Sequence, residues 1–378
     1  MSRARRVLAV FLLLWAWDVA VFAAGTCNDV PMPGGATARY CVPERWNGHL
    51  VVFAHGTVAA SEPLGFYHLD LEGVDLPDLL MKLGYAFATT TFRANGLNTL
   101  EAVEDLRLLV AGFPAATGKQ QKRTVLAAVS LGASPAAIAL EQYPNLFHGA
   151  LLICGPIGSM KLQMDYLFTF RVLYDHYFPG VLPGSITNVP ASVMADWYTI
   201  HEPAVIQAAI ADPERTFELL RVAQVEHAPG DIDAAAQSFA DLLWYHVFGL
   251  DDLLTRLGGL PFDNRTARYT GSTNDAALNA AVARVRGNSA AQRRLLTYEN
   301  RAQPARPVVI LHNTGDDIVP FGHAPFYQWR AQRNGRGKWV TLLPVRRPGH
   351  VNLTIAEAMA GFLITTDAAG AGLALPAR

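Results

Sequence analysis

The chain has 378 residues, 51% of them hydrophobic and 17% charged, and its 31 basic and 32 acidic residues leave a formal net charge of −1. That length and apolar content suit one large α/β domain or about two ordinary ones, and they exclude a disordered chain. The near-neutral balance, with no basic run beyond the first six residues, removes the electrostatic footprint of a nucleic-acid binder.

The N-terminus reads as a targeting signal. Arg3, Arg5 and Arg6 precede an apolar stretch over residues 7–22 and the small residues Ala23, Ala24 and Gly25. A basic start, a short apolar run and a small-residue exit mark residues 1–24 as a secretory signal peptide. The run falls short of the ~20 apolar residues of a membrane span, and Asp18 interrupts it. The expectation is a secreted or periplasmic protein with no membrane anchor after cleavage. An oxidising compartment lets a disulfide persist, and Cys27 and Cys41, flanking a Pro/Gly-rich stretch, are the expected pair. Cys154 ends an apolar run and reads as a small buried hydrophobe. No spacing of Cys and His suits zinc, so no metal is expected.

Short apolar runs at residues 49–54, 85–91, 124–129, 150–154, 307–311 and 339–344 have the length and continuity of strands buried on both faces of a parallel sheet. Helix-like segments at 76–83, 100–111, 131–142, 323–333 and 353–364 alternate with them. That alternation predicts a doubly wound, mostly parallel α/β sheet. Residues 155–304 break the rhythm, with helical patterns at 160–177, 204–210, 214–225, 232–257 and 275–286 and no convincing core strand. So long a structureless loop is improbable. The predicted organisation is a core of residues 25–154 and 305–378 with a helical lid inserted over 155–304.

Ser130 follows the strand at 124–129 and opens the next helix, within Ala128-Val129-Ser130-Leu131-Gly132. A nucleophile elbow needs small residues two before and two after its serine, because the strand-to-helix turn leaves no room for side chains there. The Gly132–Ala136 stretch offers Ser134 at the same spacing, but inside the helix with Pro135 behind it, and Ser134 is rejected. A triad on this architecture runs Ser, acid, His along the chain. Asp316 and Asp317 follow the strand at 307–311, and His350 follows the strand at 339–344. Both loops lie at strand C-terminal ends, where open α/β sheets place their sites. Backbone N–H groups of Leu131 and of Thr57, just past His55-Gly56, suit an oxyanion hole. His55 reads as structural, and His312 and His323 as bystanders of the acid loop.

With elbow, acid loop, base and HG turn in this order, the chain resembles serine hydrolases of the α/β-hydrolase superfamily. The segments 46–52, 84–96 and 261–279 resemble exported bacterial members with a large helical lid. The core likeness covers residues 40–154 and 305–366, and the lid likeness is weaker. Ala128 stands where the first Gly of the elbow is usual. Ala133 stands where peptidase-like members often carry a further Gly, which lowers the peptidase reading. Consecutive carboxylates point in different directions, so only one of Asp316 and Asp317 can reach His350. In the resembling hydrolases the acid precedes two residues and then Val-Pro, which selects Asp316 and leaves Asp317 facing outward, as a cap or solvated.

The resemblance implies acyl transfer to water. Ser130 would attack an acyl carbon with His350 as general base and then general acid. Asp316 would hold the imidazole tautomer, and no metal or organic cofactor is needed. The insert is rich in aromatics, among them Tyr166, Phe168, Trp244, Tyr245 and Phe248; they suit either an apolar pocket or the insert's own core. Carboxylic esters with apolar acyl, aryl or polyester-type groups are the first expected substrates. A serine peptidase or amidase is the second reading, including a poly(aspartic acid)-hydrolase-like activity with Arg93 or Arg171 as carboxylate partners. A non-catalytic binding protein is the third, and the presence of nucleophile, base and acid together argues against it. The expected partner is a small or oligomeric acyl substrate, with no nucleic acid.

Overall fold

The computed structural model describes residues 25–67 and 70–372. The expected signal peptide lies outside the described residues. Strands β1 (Thr26–Pro31), β2 (Thr37–Val42) and β3 (His49–Ala54) come first, then the two-residue strands β4 (Asp70–Leu71) and β5 (Val74–Asp75). Helix α1 (Leu76–Lys82), β6 (Ala86–Thr90), α2 (Thr99–Thr117), β7 (Arg123–Val129), α3 (Ala133–Gln142) and β8 (Gly149–Ile153) follow. A series of helices comes next: α4 (Met160–Tyr177), α5 (Ala191–Ala195), α6 (Glu202–Ala211), α7 (Pro213–Ala223), α8 (Ile232–Leu257), α9 (Asp275–Ala281) and α10 (Ser289–Leu295). The chain then returns through β9 (Val308–Gly315), α11 (His323–Arg333), β10 (Val340–Pro348) and α12 (Ile355–Ala368).

Eight strands pair in the order β1-β2-β6-β3-β7-β8-β9-β10. From β6 to β10 every pairing is parallel, while β1 and β2 add an antiparallel edge. Neither edge strand was expected, because β1 is short, largely exposed and lacks an apolar run. It pairs with β2 along its whole length, and a cross-link adds to the ladder: Cys27 sits opposite Cys41, and the two form a disulfide with a Cα–Cα distance of 4.0 Å.

The continuous apolar runs sort by parity. Leu50, Val52, Leu126, Leu152 and Ile310 pack with α2, α3 and α11 on one face. Val51, Phe53, Leu151, Val309 and Leu311 pack with α1 and α12 on the other. Strand side chains alternate between faces, so a run apolar at every position is what a sheet covered on both sides requires. The insertion between β8 and β9 contributes no strand to this sheet among the described residues. It has its own apolar core, which also takes in Ile318 and Val319 from the loop after β9. Helix α8 is capped by Asp231, whose carboxylate accepts from Ala234 N, and ends on Gly258 in the left-handed region. Helix α9 ends at Ala281, short of the expected 286. Val282 is already extended, and beyond it Arg284 donates to the carbonyls of Asn264 and Ala267.

Candidate active site

Strand β7 ends at Val129, and Ser130 follows with φ +53, a left-handed conformation that costs a non-glycine residue energy and marks functional turns. A single 3-10 turn, Ser130–Gly132, leads into α3. Tight packing explains the small neighbours. A Cβ on Gly132 would stand 2.3 Å from the carbonyl oxygen of His55, and one on Gly56 would stand 3.0 Å from Ser130 Cβ. The glycines let β3 and β7 bring their ends together beneath the serine.

The other two groups meet because of strand register. Pro348 of β10 pairs with Gly315 of β9, and Gly349 N donates to Gly315 O at 2.8 Å. Both strands run past their expected ends, so the loops that begin at Asp316 and His350 start side by side. His350 Nδ1 lies 2.8 Å from Asp316 Oδ2 and 3.0 Å from Oδ1. Its Nε2 lies 2.9 Å from Ser130 Oγ. With Nδ1–H given to the carboxylate, Nε2 is free to accept the serine proton.

Asp316 is fully buried and densely solvated by the protein. Its Oδ1 accepts from Ile318 N at 3.0 Å and Val319 N at 2.8 Å. Burial pushes its carboxyl upward, but the charge of His350 and hydrogen bonds from His312 and His350 outweigh that, and it titrates below the ordinary carboxylate value. His312 is therefore no bystander: its Nε2 lies 3.4 Å from Asp316 Oδ2 and 2.8 Å from the Val319 carbonyl. His323 is buried and pushed down to about 3, chiefly by burial.

The expectation for Asp317 needs correction. Its side chain is buried, not solvated, and Oδ2 accepts from Ser238 Oγ of α8 at 2.5 Å. The Asp317 carbonyl accepts from the Tyr166 hydroxyl of α4, and the Ile318 carbonyl accepts from Gln163 Nε2 at 2.8 Å. The insertion thus grips the acid loop from both sides. In the sequence Tyr166 reads only as an aromatic and nothing marks Ser238 or Gln163, because polar residues on an amphipathic helix carry no sequence mark of their partner.

Ser134 is buried within α3, and its hydroxyl has no hydrogen-bond partner among the described residues. His55 packs its ring on Phe92 and Tyr67, and burial lowers its pKa. Thr57 and Leu131 line an apolar cavity of about 90 Å³ beside Ser130, closed by Met160, Met164, Phe168, Trp244, Tyr245 and Phe248 of the insertion. Neither proposed arginine reaches it. Arg93 is paired with Asp105 at 2.5 Å, and Arg171 is buried against Asp175 at 3.0 Å. A wider polar groove bordered by Glu104, Gln142, Asn300 and Arg333 contains no member of the Ser130–His350–Asp316 chain.

Cys154, His312 and Asp316 bring ligand-type atoms within 4.8 Å of one another. Burial holds the Cys154 thiol protonated, and it donates to Asn313 Oδ1 at 3.2 Å. With His312 and Asp316 already committed to the acid loop, the cluster suits hydrogen bonding better than a metal.

A search against family models finds no match, and no curated protein matches. Solved structures do match. An acylaminoacyl peptidase in complex with Z-Gly-Gly-Phe-chloromethyl ketone is 13% identical, with a TM-score of 0.50 over 97% of this chain and 44% of that one. The chain has the α/β-hydrolase fold. It spans less than half the length of that peptidase. Two esterases are also similar, at lower TM-scores. One, from Pyrococcus furiosus, is 12% identical with a TM-score of 0.48, covering 95% of this chain and 96% of that one. The other, a rice cell wall degrading esterase from Xanthomonas oryzae, is 13% identical with a TM-score of 0.46 and covers 92% of each chain.

Proposed function

We propose that this α/β-hydrolase-fold protein is a serine hydrolase that cleaves carboxylic esters through an acyl-enzyme. One observation carries the reading: the unbroken hydrogen-bond chain from Ser130 Oγ through His350 to Asp316, set at the mouth of an apolar cavity. Ser130 Oγ attacks the acyl carbon and its proton passes to His350 Nε2. Asp316 keeps Nδ1–H in place and stabilises the imidazolium. The oxyanion forms beside the backbone N–H groups of Leu131 and Thr57. His350 then protonates the leaving oxygen, and water repeats the sequence to release the acid.

The cavity lining favours apolar acyl or aryl groups, and its small volume favours short ones. The aromatic wall continues outward, since Trp244 Nε1 donates to the exposed Tyr198 hydroxyl at 3.0 Å and Phe248 stacks on Tyr198. We take residues 155–304 as the lid over the site. Export completes the proposal, supported by the Cys27–Cys41 disulfide; no helix among the described residues is long and apolar enough to cross a membrane.

Labelling with a serine-directed fluorophosphonate tests the nucleophile, and absence of a Ser130 adduct overturns the hydrolase reading. A panel of p-nitrophenyl esters beside peptide anilides tests the substrate class. Turnover of short apolar esters well above any anilide is expected; the reverse order makes the protein a peptidase or amidase.

A further inference from the structure

We propose that Tyr245 is a further catalytic residue, its phenol donating a hydrogen bond to the reacting oxygen atoms above Ser130. The assignment rests on the serine-hydrolase reading and adds a side-chain donor, supplied by the insertion, to the backbone groups of the core.

The geometry comes from one face of α8. Ser238 is fixed on that helix by its bond to Asp317, the residue after Asp316. Residues three and seven positions further along a helix lie on the same face, and these are Asp241 and Tyr245. The face that grips the acid loop therefore continues over the serine. Tyr245 lines the cavity together with Ser130, Thr57 and Leu131, which places its side chain in the space where the acyl group reacts. Helix α8 also gives this cavity Trp244, His246, Phe248, Leu250 and Leu253; Trp244 stacks on Phe248 and donates to Tyr198, and His246 Nε2 lies 3.1 Å from the Ile186 carbonyl, so these two polar groups are engaged within the insertion.

Burial, and then the charges of Asp316, Asp241 and Asp317, hold the phenol above its ordinary pKa. It stays neutral and acts as a donor through the cycle. In the resting site Ser130 gives its proton to His350 Nε2, so the serine oxygen keeps its lone pairs open toward the cavity that Tyr245 lines. When that oxygen bonds to the acyl carbon, negative charge moves to the former carbonyl oxygen, and the phenol O–H turns to it. No proton leaves Tyr245; the serine proton passes to His350 and on to the leaving oxygen, so the step balances without another reactant.

The test compares wild type with Tyr245→Phe, which keeps the ring and removes one oxygen. Fluorophosphonate labelling of the wild type comes first, followed by p-nitrophenyl butyrate kinetics and inhibition by n-butylboronic acid, whose serine adduct mimics the tetrahedral state. Loss of one oxyanion donor costs about 10²–10³ in kcat elsewhere; here, with backbone donors retained, kcat should fall by about tenfold or more. KM should stay within about twofold, the boronate inhibition constant should rise in proportion to the loss in kcat/KM, and the melting temperature should hold. A labelled wild type whose Tyr245→Phe variant keeps its kcat and boronate affinity overturns the assignment while leaving the hydrolase reading intact. A change confined to KM does the same, and makes Tyr245 a wall of the cavity. A wild type that takes no label removes both.

Discussion

Ser238 Oγ lies 2.5 Å from Asp317 Oδ2, so a hydroxyl of the inserted helix donates to the carboxylate beside Asp316. That carboxylate is buried, and Ile318 and Val319, just beyond it, belong to the insertion's apolar core. The insertion is therefore part of what shapes the acid loop. Any movement of it that breaks these bonds also disturbs Asp316, whose oxygens are held by Ile318 N and Val319 N.

Ser238→Ala should leave a buried carboxylate short of a donor. Removing one partner of such a bond costs about 1–3 kcal/mol, readable by urea denaturation, and kcat should fall with the loosened loop. A variant as stable and as active as wild type would show that the insertion merely rests on the loop.

Asp316 and Asp317 should respond to pH with opposite signs. Asp316 titrates below its ordinary value, so its contribution to stability is present above the unfolded carboxyl pKa, about 3.9, and is lost as pH falls through the lower folded value. Asp317 is raised by burial, against the Ser238 bond and with help from the Asp316 charge. Its folded state holds the proton longer, so a penalty appears as pH rises from about 3.9 through the higher folded value. Asp316→Asn should fall furthest below wild type in melting temperature at neutral pH and converge with it in acid. Asp317→Asn should gain on wild type as pH rises. In activity, Asp316→Asn should lose about 10⁴, as a triad amide did in one protease, and Asp317→Asn little. Parallel melting curves for the two variants would contradict the assignment of opposite shifts.

Ser130→Ala should lower turnover by roughly 10⁴–10⁶. Ser134→Ala should stay within about tenfold of wild type, because its hydroxyl is buried in α3 away from His350. Steady-state rates on one p-nitrophenyl ester decide it, and a dead Ser134→Ala would move the elbow.

Cys27→Ser should lower stability by about 3 kcal/mol, the chain-entropy value for a loop of about 15 residues. Cys27 is exposed and its partner Cys41 buried, so the substitution at 27 reports the cross-link with little change in packing. Equal denaturation midpoints with and without the bond would mean that the β1–β2 hairpin holds itself.

The parallel strands, the elbow at Ser130 and the loops carrying Asp316 and His350 were legible in the chain because each is a local pattern. A strand buried on both faces must be apolar throughout, and an elbow must be flanked by small residues. The Cys27–Cys41 pairing followed from the reading of export. The β1 and β2 edge was not legible, since the exposed β1 needs no apolar run and β2, mixed in its side chains, is placed by pairing with β6, distant in sequence. The roles of Asp317, Ser238, Tyr166 and His312 were decided by tertiary structure alone. A polar side chain shows the chemistry it can offer, but whether water or a buried carboxylate receives it depends on which helix packs over the loop. Here α4 and α8 pack over the loop after β9 and exclude water from it, which turns an Asp317 expected to be solvated into a buried acceptor and brings Tyr245 into the cavity that Ser130 lines.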